Sequence, residues 1–178
     1  IWFATENGLS RFDGTNFKNF SVKDGLPDNE VLRVYADSKG RVWIGTFNKE
    51  PSYFYKNKIY NGSNDSILRK IKFISNILFM DEDLQGNIML GDNRRIYRIS
   101  TKNEVTEMTA FPAFKKIKTF YWNIYPDYFD GGFCYNADHA VYKLVDDSLT
   151  LFYKKGDTTF PNILQSDLSR TGKQGVIH

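Results

Sequence analysis

The sequence predicts an all-β fold of repeated, four-stranded antiparallel sheets, and three observations predict it. "IWFAT" (1–5) has a near-twin in "VWIGT" (42–46), with Trp43 lying 41 residues after Trp2. The composition is 16% aromatic, with 15 Phe, 11 Tyr and 3 Trp, and such side chains fit a pleated, half-buried surface. No segment sustains an amphipathic helical period over three turns, so the hydrophobic pattern favours strands throughout.

The twin is the first sign of a longer repeat. "DSKGRVWIGT" (37–46) aligns with "DLQGNIMLGD" (83–92), matching Asp83 to Asp37, Gly86 to Gly40, Met89 to Trp43 and Gly91 to Gly45. "GGFCYNADHAVYKL" (131–144) aligns without a gap to "GNIMLGDNRRIYRI" (86–99), which places Cys134 at the tryptophan position and Tyr142 opposite Tyr97. A further unit begins at "GVIH" (175–178) and puts His178 there. The equivalent positions are 2, 43, 89, 134 and 178, with spacings of 41, 46, 45 and 44 residues. A period of roughly 40–50 residues marks propellers and solenoids.

Each unit reads as four short strands. The first is "EVLRVYAD" (30–37), recurring as "NILFMDED" (76–83) and "NILQSD" (162–167). A tight turn follows, Asp37-Ser38-Lys39-Gly40, where Asp can accept a backbone hydrogen bond two residues on and Gly supplies positive φ. The second strand is "RVWIGT" (41–46). The third is "GLSRFDG" (8–14), "RIYRIS" (95–100) and "AVYKLV" (140–145), with Leu9/Phe12, Ile96/Ile99 and Val141/Leu144 as apolar anchors. The fourth is "NFKNFSV" (16–22), "EVTEMTAF" (104–111) and "LTLFYKK" (149–155). Four antiparallel strands every ~44 residues make the blade of a β-propeller. Residues 1–178 are therefore expected to form one propeller fragment of about four blades, a piece of a larger ring, divided as 1–22, 23–66, 67–112, 113–157 and 158–178.

The bulk numbers narrow the partners. The formal charge is +3, from 24 basic and 21 acidic residues, too balanced to imply nucleic acid or an anionic membrane. Cys134 is the sole cysteine, so no intrachain disulfide forms. The most apolar short run, "FISNILFM" (73–80), is far below the ~20 residues a membrane helix needs.

At this point a family resemblance enters. Residues 1–46 resemble the two-component-regulator propeller repeat through Trp2, Thr5, Gly8-Leu9, Phe12-Asp13-Gly14, Asp24-Gly25-Leu26-Pro27, Asn29, Asp37, Gly40 and Trp43-Ile44-Gly45-Thr46. From 47 to 178 the likeness rests on spacing and strand pattern. The resemblance implies seven-bladed propellers, usually two in tandem, in the exported, periplasmic sensor region of Bacteroidetes-type hybrid histidine kinases and related regulators. It implies recognition of an oligosaccharide and signalling to a kinase or transcriptional output outside this segment.

Strand order sends the fourth-to-first and second-to-third loops to one face of the ring. These loops are "KDGLPDN" (23–29), "TENG" (5–8), "TFNKE" (46–50), "DNRR" (92–95) and "NADH" (136–139). Their polar side chains pair with sugar hydroxyls, and Arg pairs with sulfate or carboxylate. The candidate ligand-binding residues are Glu6, Asn29, the asparagine that follows Phe47 (Asn48), Lys49, Asn93, Arg94, Asn136 and His139. Trp122, beside Tyr121, joins them as a stacking platform near the central channel. The expected partners are an oligosaccharide or other small ligand, neighbouring blades and domains of the parent chain, and a second copy, since an open fragment exposes blade faces.

No catalytic residue, metal site or cofactor is expected. Cys134, Asp138 and His139 lack zinc-ligand spacing, and no carboxylate pair stands apart from the turn pattern. The remaining readings are a structural or protein-docking propeller and, third, a propeller glycosidase or lyase. Trp2 and Trp43 are expected in the core, and the basic runs at 69–72 and 114–118 at solvated strand edges.

Overall fold

The computed structural model describes residues 1–112 and 114–116, and the backbone of four strands within 120–154. Among the described residues every extended element belongs to an antiparallel sheet, and the helical ones are single 3-10 turns. The first sheet holds β1 (Trp2–Thr5), β2 (Gly8–Phe12) and β3 (Phe17–Phe20) in the order β1-β2-β3. The second holds β4 (Val31–Ala36), β5 (Val42–Thr46), β6 (Ser52–Tyr55) and β7 (Lys58–Tyr60). The third holds β8 (Phe79–Glu82), β9 (Ile88–Gly91), β10 (Ile96–Ile99) and β11 (Val105–Glu107). The fourth holds β12 (Phe120–Pro126), β13 (Phe133–Ala137), β14 (Ala140–Val145) and β15 (Ser148–Lys154). Strands follow chain order within each sheet, the up-and-down meander of a propeller blade. The chain is an arc of a β-propeller.

Strand register supports the sequence alignment. The repeat positions Trp2, Trp43, Met89 and Cys134 pair with Arg11, Tyr53, Arg98 and Lys143 on the next strand. The interval within each pair is the same in three sheets. The second sheet has one residue more, which falls in the loop between β5 and β6.

Alternation along the central strands explains how the sheets stack. Val42 and Ile44 face a core shared with Leu9 and Phe20 of the first sheet. Trp43 points the other way, into a core shared with Ile88, Leu90 and Ile99 of the third. Met89 then faces a third core with Ile96, Met108 and Phe114. A strand with period-two side chains thus serves two cores, so its apolar run is unbroken. Trp2, Trp43 and Met89 all point toward the sheet that follows, so one repeat position does the same job each time. Trp43 is 1% exposed, while Trp2 is half-buried against Phe54, with ring centroids 4.8 Å apart.

Two expectations need correction. The basic runs do not lie at strand edges: Arg69 and Lys70 belong to the 3-10 turn Leu68–Lys70, which Ile71 follows into the core, and the described part of 114–118 is the 3-10 turn Phe114–Lys116. The fourth strand foreseen at 104–111 ends at Glu107, and residues Met108–Ala110 form a single 3-10 turn. That turn drives Met108, fully buried, down into the third core, and Pro112 follows with no N–H to extend a ladder. The strand "NILQSD" (162–167) and the unit at 175–178 lie outside the described residues.

The turns between first and second strands follow the predicted chemistry and extend it. Gly40 N–H donates to Asp37 C=O at 3.1 Å, and Gly40 has φ of 77°. One Asp37 carboxylate oxygen accepts from Lys39 N–H at 3.0 Å and Arg41 N–H at 2.9 Å. The other accepts from Arg41 Nε at 2.5 Å and from the Trp43 indole Nε1 at 2.9 Å. The turn is bolted to the core residue of its own repeat.

Candidate functional site

Antiparallel order places the segments 5–8, 21–30, 46–51, 61–78 and 92–95 at one end of the sheets and the turns at 37–41 and 83–87 at the other. The loop end is built by short polar side chains bonding to backbone. Ser21 caps the 3-10 turn Val22–Asp24: its hydroxyl accepts from Lys23 N–H, and Asp24 accepts from Ser21 N–H at 2.8 Å. Asn29 Oδ1 accepts from Val22 N–H at 3.0 Å and closes this loop. Asn61 Nδ2 donates to Gly25 C=O at 2.9 Å, tying the next connection to it.

Asp92 organises the third sheet's loops. One of its oxygens accepts from Arg94 and Arg95 N–H groups, the other from Ile74 N–H at 2.7 Å and Ser75 N–H at 3.1 Å. The Ser75 hydroxyl donates to Asn93 Oδ1 at 3.1 Å. The Arg95 guanidinium donates to Lys72 C=O, so this arginine is engaged in the same connection. A loop face so knitted is a rigid platform, the setting in which loops carry binding.

The predicted residues separate into two groups here. The side-chain oxygens of Asn29, Asn48 and Asn93 each accept a bond inside their own loop system, which makes these residues loop builders. Glu6, Lys49 and Arg94 are exposed at the same end. Asn136 is not in a loop: it lies within β13 and pairs with Val141. The neighbouring Ala137 and Ala140 are small and pair directly at the hairpin end, which draws the strand into the polar "NADH" stretch. Trp122 lies on β12, the first strand of its sheet, and its side chain is outside the described set. Asp138 and His139 lie outside the described residues altogether.

The first strands β4, β8 and β12 approach one another and form the inner edge of the arc. Sequence reasoning does not find the charges they carry. The Tyr35 hydroxyl donates to Asp81 across the junction of β4 and β8, and burial pushes the tyrosine's pKa upward, helped by the nearby carboxylates. Burial likewise raises the Asp81 carboxyl above its ordinary value. Below them, the backbone N–H and hydroxyl of Ser38 donate to the two Glu82 oxygens at 2.7 and 2.6 Å. Both carboxylates of β8 therefore have partners on the second sheet.

Arg33, by contrast, is exposed on β4, and among the described residues the only ion pair is Arg41–Asp37. The ladder between β4 and β5 slips at this point: Val31 pairs with Thr46, Arg33 with Gly45, and Leu32 is the extra residue. Such bulges re-aim side chains at strand ends. The sequence signal is the adjacent apolar pair Val31-Leu32, which breaks period-two alternation just before the arginine.

Comparison with known proteins fits this architecture. Residues 25–48 match the family model of the two component regulator propeller. These residues are similar to one two-component-regulator propeller repeat. No curated protein matches it significantly. Among solved structures, the propeller is similar to the extracellular domain of the hybrid two component system BT4673 from B. thetaiotaomicron, with TM-score 0.63 and 12% identity. That match covers 86% of this chain and 22% of the other. The extracellular domain of the hybrid system BT3049 from the same organism also gives 0.63, at 16% identity, over 85% of this chain and 21% of that one. Virginiamycin B lyase from Staphylococcus aureus follows at 0.59 and 15%, covering 87% of this chain and 52% of the lyase. The propeller arc thus spans about a fifth of the length of the two-component domains and about half of the lyase. At these identities the likeness is one of fold.

Proposed function

We propose that this propeller arc belongs to the exported, ligand-sensing region of a two-component regulatory system, and that it recognises an oligosaccharide. The repeat matched at residues 25–48 carries this reading, supported by fold similarity to extracellular domains of two hybrid two-component systems. Export places it in the periplasm, with a histidine kinase or other output elsewhere in the parent protein. The propeller is non-catalytic in this reading. It binds at its loop end, where Glu6, Lys49 and Arg94 are exposed on a hydrogen-bonded frame. Ligand binding shifts a two-state equilibrium by its differential affinity, and a coupling of about 1–3 kcal/mol suffices for a 5–150-fold change.

Thermal unfolding of the complete natural protein against plant, host and microbial oligosaccharides tests this. A saccharide at 100 times its dissociation constant stabilises by about 2.7 kcal/mol and raises the midpoint visibly. No shift with any saccharide overturns the saccharide reading and leaves a protein-docking scaffold. The lyase similarity supports a second reading, a propeller enzyme. Recovery of chemically unchanged saccharide after incubation argues against it, and a new product would establish it.

A further inference from the structure

The junction between the second and third sheets carries a feature that the candidate residues read from sequence do not include. Arg33 pairs across the ladder with Gly45, and two residues beyond that glycine Phe47 is 63% exposed. Phe47 N–H donates to Glu30 C=O at 2.8 Å, so the ladder that holds Arg33 also fixes the backbone at Phe47. Gly45 presents no side chain between them. A Cβ there would lie 2.7 Å from the Met80 methyl, and Ile77 C=O is 3.5 Å from the same point. The Met80 methyl of β8 and the Ile77 Cβ, 3.6 Å from that point, thus give Gly45 an apolar neighbourhood between the positions of Arg33 and Phe47.

Arg33 and Phe47 are both exposed among the described residues. Arg11 lies over the Trp2 ring at 5.8 Å, Arg41 pairs with Asp37, and Arg69 donates to Gly62 and Ser63 carbonyls, whereas Arg33 shares its exposure with Arg94 at the same end of the sheets. Other aromatic rings of the second sheet are packed, Tyr53 against Trp43 and Phe54 against Phe20. The bulge at Leu32 shifts Arg33 out of the regular register, and the carboxylates on the adjoining strand β8 are already bonded to Tyr35 and Ser38. An exposed arginine and an exposed phenylalanine at the same end of neighbouring strands match the chemistry of a sugar acid. The fork-shaped donor array pairs with a carboxylate or sulfate, and the pyranose face covers the ring.

We propose that the loop-side end of the junction between the second and third sheets is a binding subsite for an acidic saccharide, with Arg33 holding the anionic group and Phe47 stacking against the sugar. This rests on the saccharide-sensing reading and narrows it to uronate- or sulfate-bearing ligands. Charge-assisted hydrogen bonds are worth roughly 10- to 100-fold in affinity.

The test is calorimetric titration of the full natural protein and its Arg33→Gln, Arg33→Lys and Phe47→Ala variants with matched neutral, uronate-bearing and sulfated oligosaccharides. All three substitutions are at exposed positions, and an unchanged unfolding midpoint verifies that each variant is folded. The expected result is binding of an acidic ligand that weakens about 10- to 100-fold in Arg33→Gln and partly recovers in Arg33→Lys. Phe47→Ala should weaken the acidic ligand and its neutral counterpart by the same factor. An acidic ligand bound equally by wild type and Arg33→Gln overturns the inference. So does binding of neutral saccharides alone, although the sensing function then stands. If no saccharide of any charge binds, the sensing reading itself falls and the subsite with it.

Discussion

Two turns at corresponding places in successive repeats share a backbone and differ in what their carboxylates hold. At Asp37 the side chain is fully buried, and its four accepted bonds run to Lys39, Arg41 twice and the Trp43 indole. At Asp83 the backbone is the same: Gly86 N–H donates to Asp83 C=O at 2.9 Å, and Gly86 has φ of 81°. One Asp83 oxygen accepts from Gln85 and Asn87 N–H groups as Asp37 does from Lys39 and Arg41. The Met89 side chain, however, has no N–H to offer, so the second oxygen keeps only a donor from the side chain four residues on, Asn87 Nδ2 at 2.8 Å where the other turn has Arg41 Nε. The turn geometry needs only Asp and Gly. Coupling of the turn to the core needs tryptophan, and the repeat without it keeps its shape on the bonds the two turns share.

Truncating the two core residues is the harshest way to break that comparison. Trp43→Ala removes the largest buried side chain and one of the two donors to an Asp37 oxygen, leaving Arg41 Nε, so a loss of about 4–5 kcal/mol is expected. Met89→Ala, equally buried, opens a smaller cavity and orphans no polar group, so about 2–4 kcal/mol is expected. Urea midpoints of the two variants test this, and equal losses would mean that the indole bond contributes nothing.

A gentler comparison removes the carboxylates themselves. Asp37→Ala strands the buried Trp43 N–H and two turn amides and should cost about 2–3 kcal/mol. Asp83→Ala affects groups that water can reach, because Asn87 is only half-buried, and should cost about 1 kcal/mol. The same urea measurement decides. A ratio near one would show that the two turns are held by their backbones alone.

What is legible in the sequence follows the same division. Repeat spacing, the turn at Asp37-Gly40 and the strands 8–12, 42–46, 96–99 and 140–145 all follow from local rules, and the backbone register of β13 and β14 reproduces the ungapped alignment to β9 and β10. Contacts between repeats are not legible. The Ser38–Glu82 pair joins residues 44 apart, and nothing in either repeat alone announces it. The strand Phe120–Pro126 escapes sequence reasoning because its register slips between Phe120 and Ile124, which erases the alternation a strand would show. The loop-face asparagines read as polar and exposed, but their hydrogen bonds do not read from sequence at all. Asn29, Asn48 and Asn93 each turn an oxygen to a backbone or hydroxyl partner that only the folded loops supply. Arg33 is readable in principle from the apolar pair before it. It is hidden because its strand, taken by composition, looks like core along its whole length.

The smallest expected effect concerns charge at the joint between the same two sheets. Burial raises the Asp81 carboxyl above its ordinary value of 3.8, with the Glu82 charge acting in the same direction and the Tyr35 hydroxyl bond opposing it. A carboxyl that binds its proton more tightly when folded loses stability as pH rises from the unfolded value through the folded one. Asp13 and Asp24 behave in the opposite sense. Backbone bonds from Asn16 and Thr15, and from Ser21, lower their values, so their contribution is present above 3.8 and fades as pH falls through the depressed values. Asp81→Asn keeps an acceptor for Tyr35 and removes the buried charge. Its stability relative to wild type should therefore grow between pH 3.8 and the raised folded value of Asp81, then stay level up to neutrality. Urea unfolding across about pH 3–7 measures this difference. A difference that shrinks with rising pH would show that the ionised Asp81 strengthens the joint through Tyr35, and that the clasp between the second and third sheets works best with its charge in place.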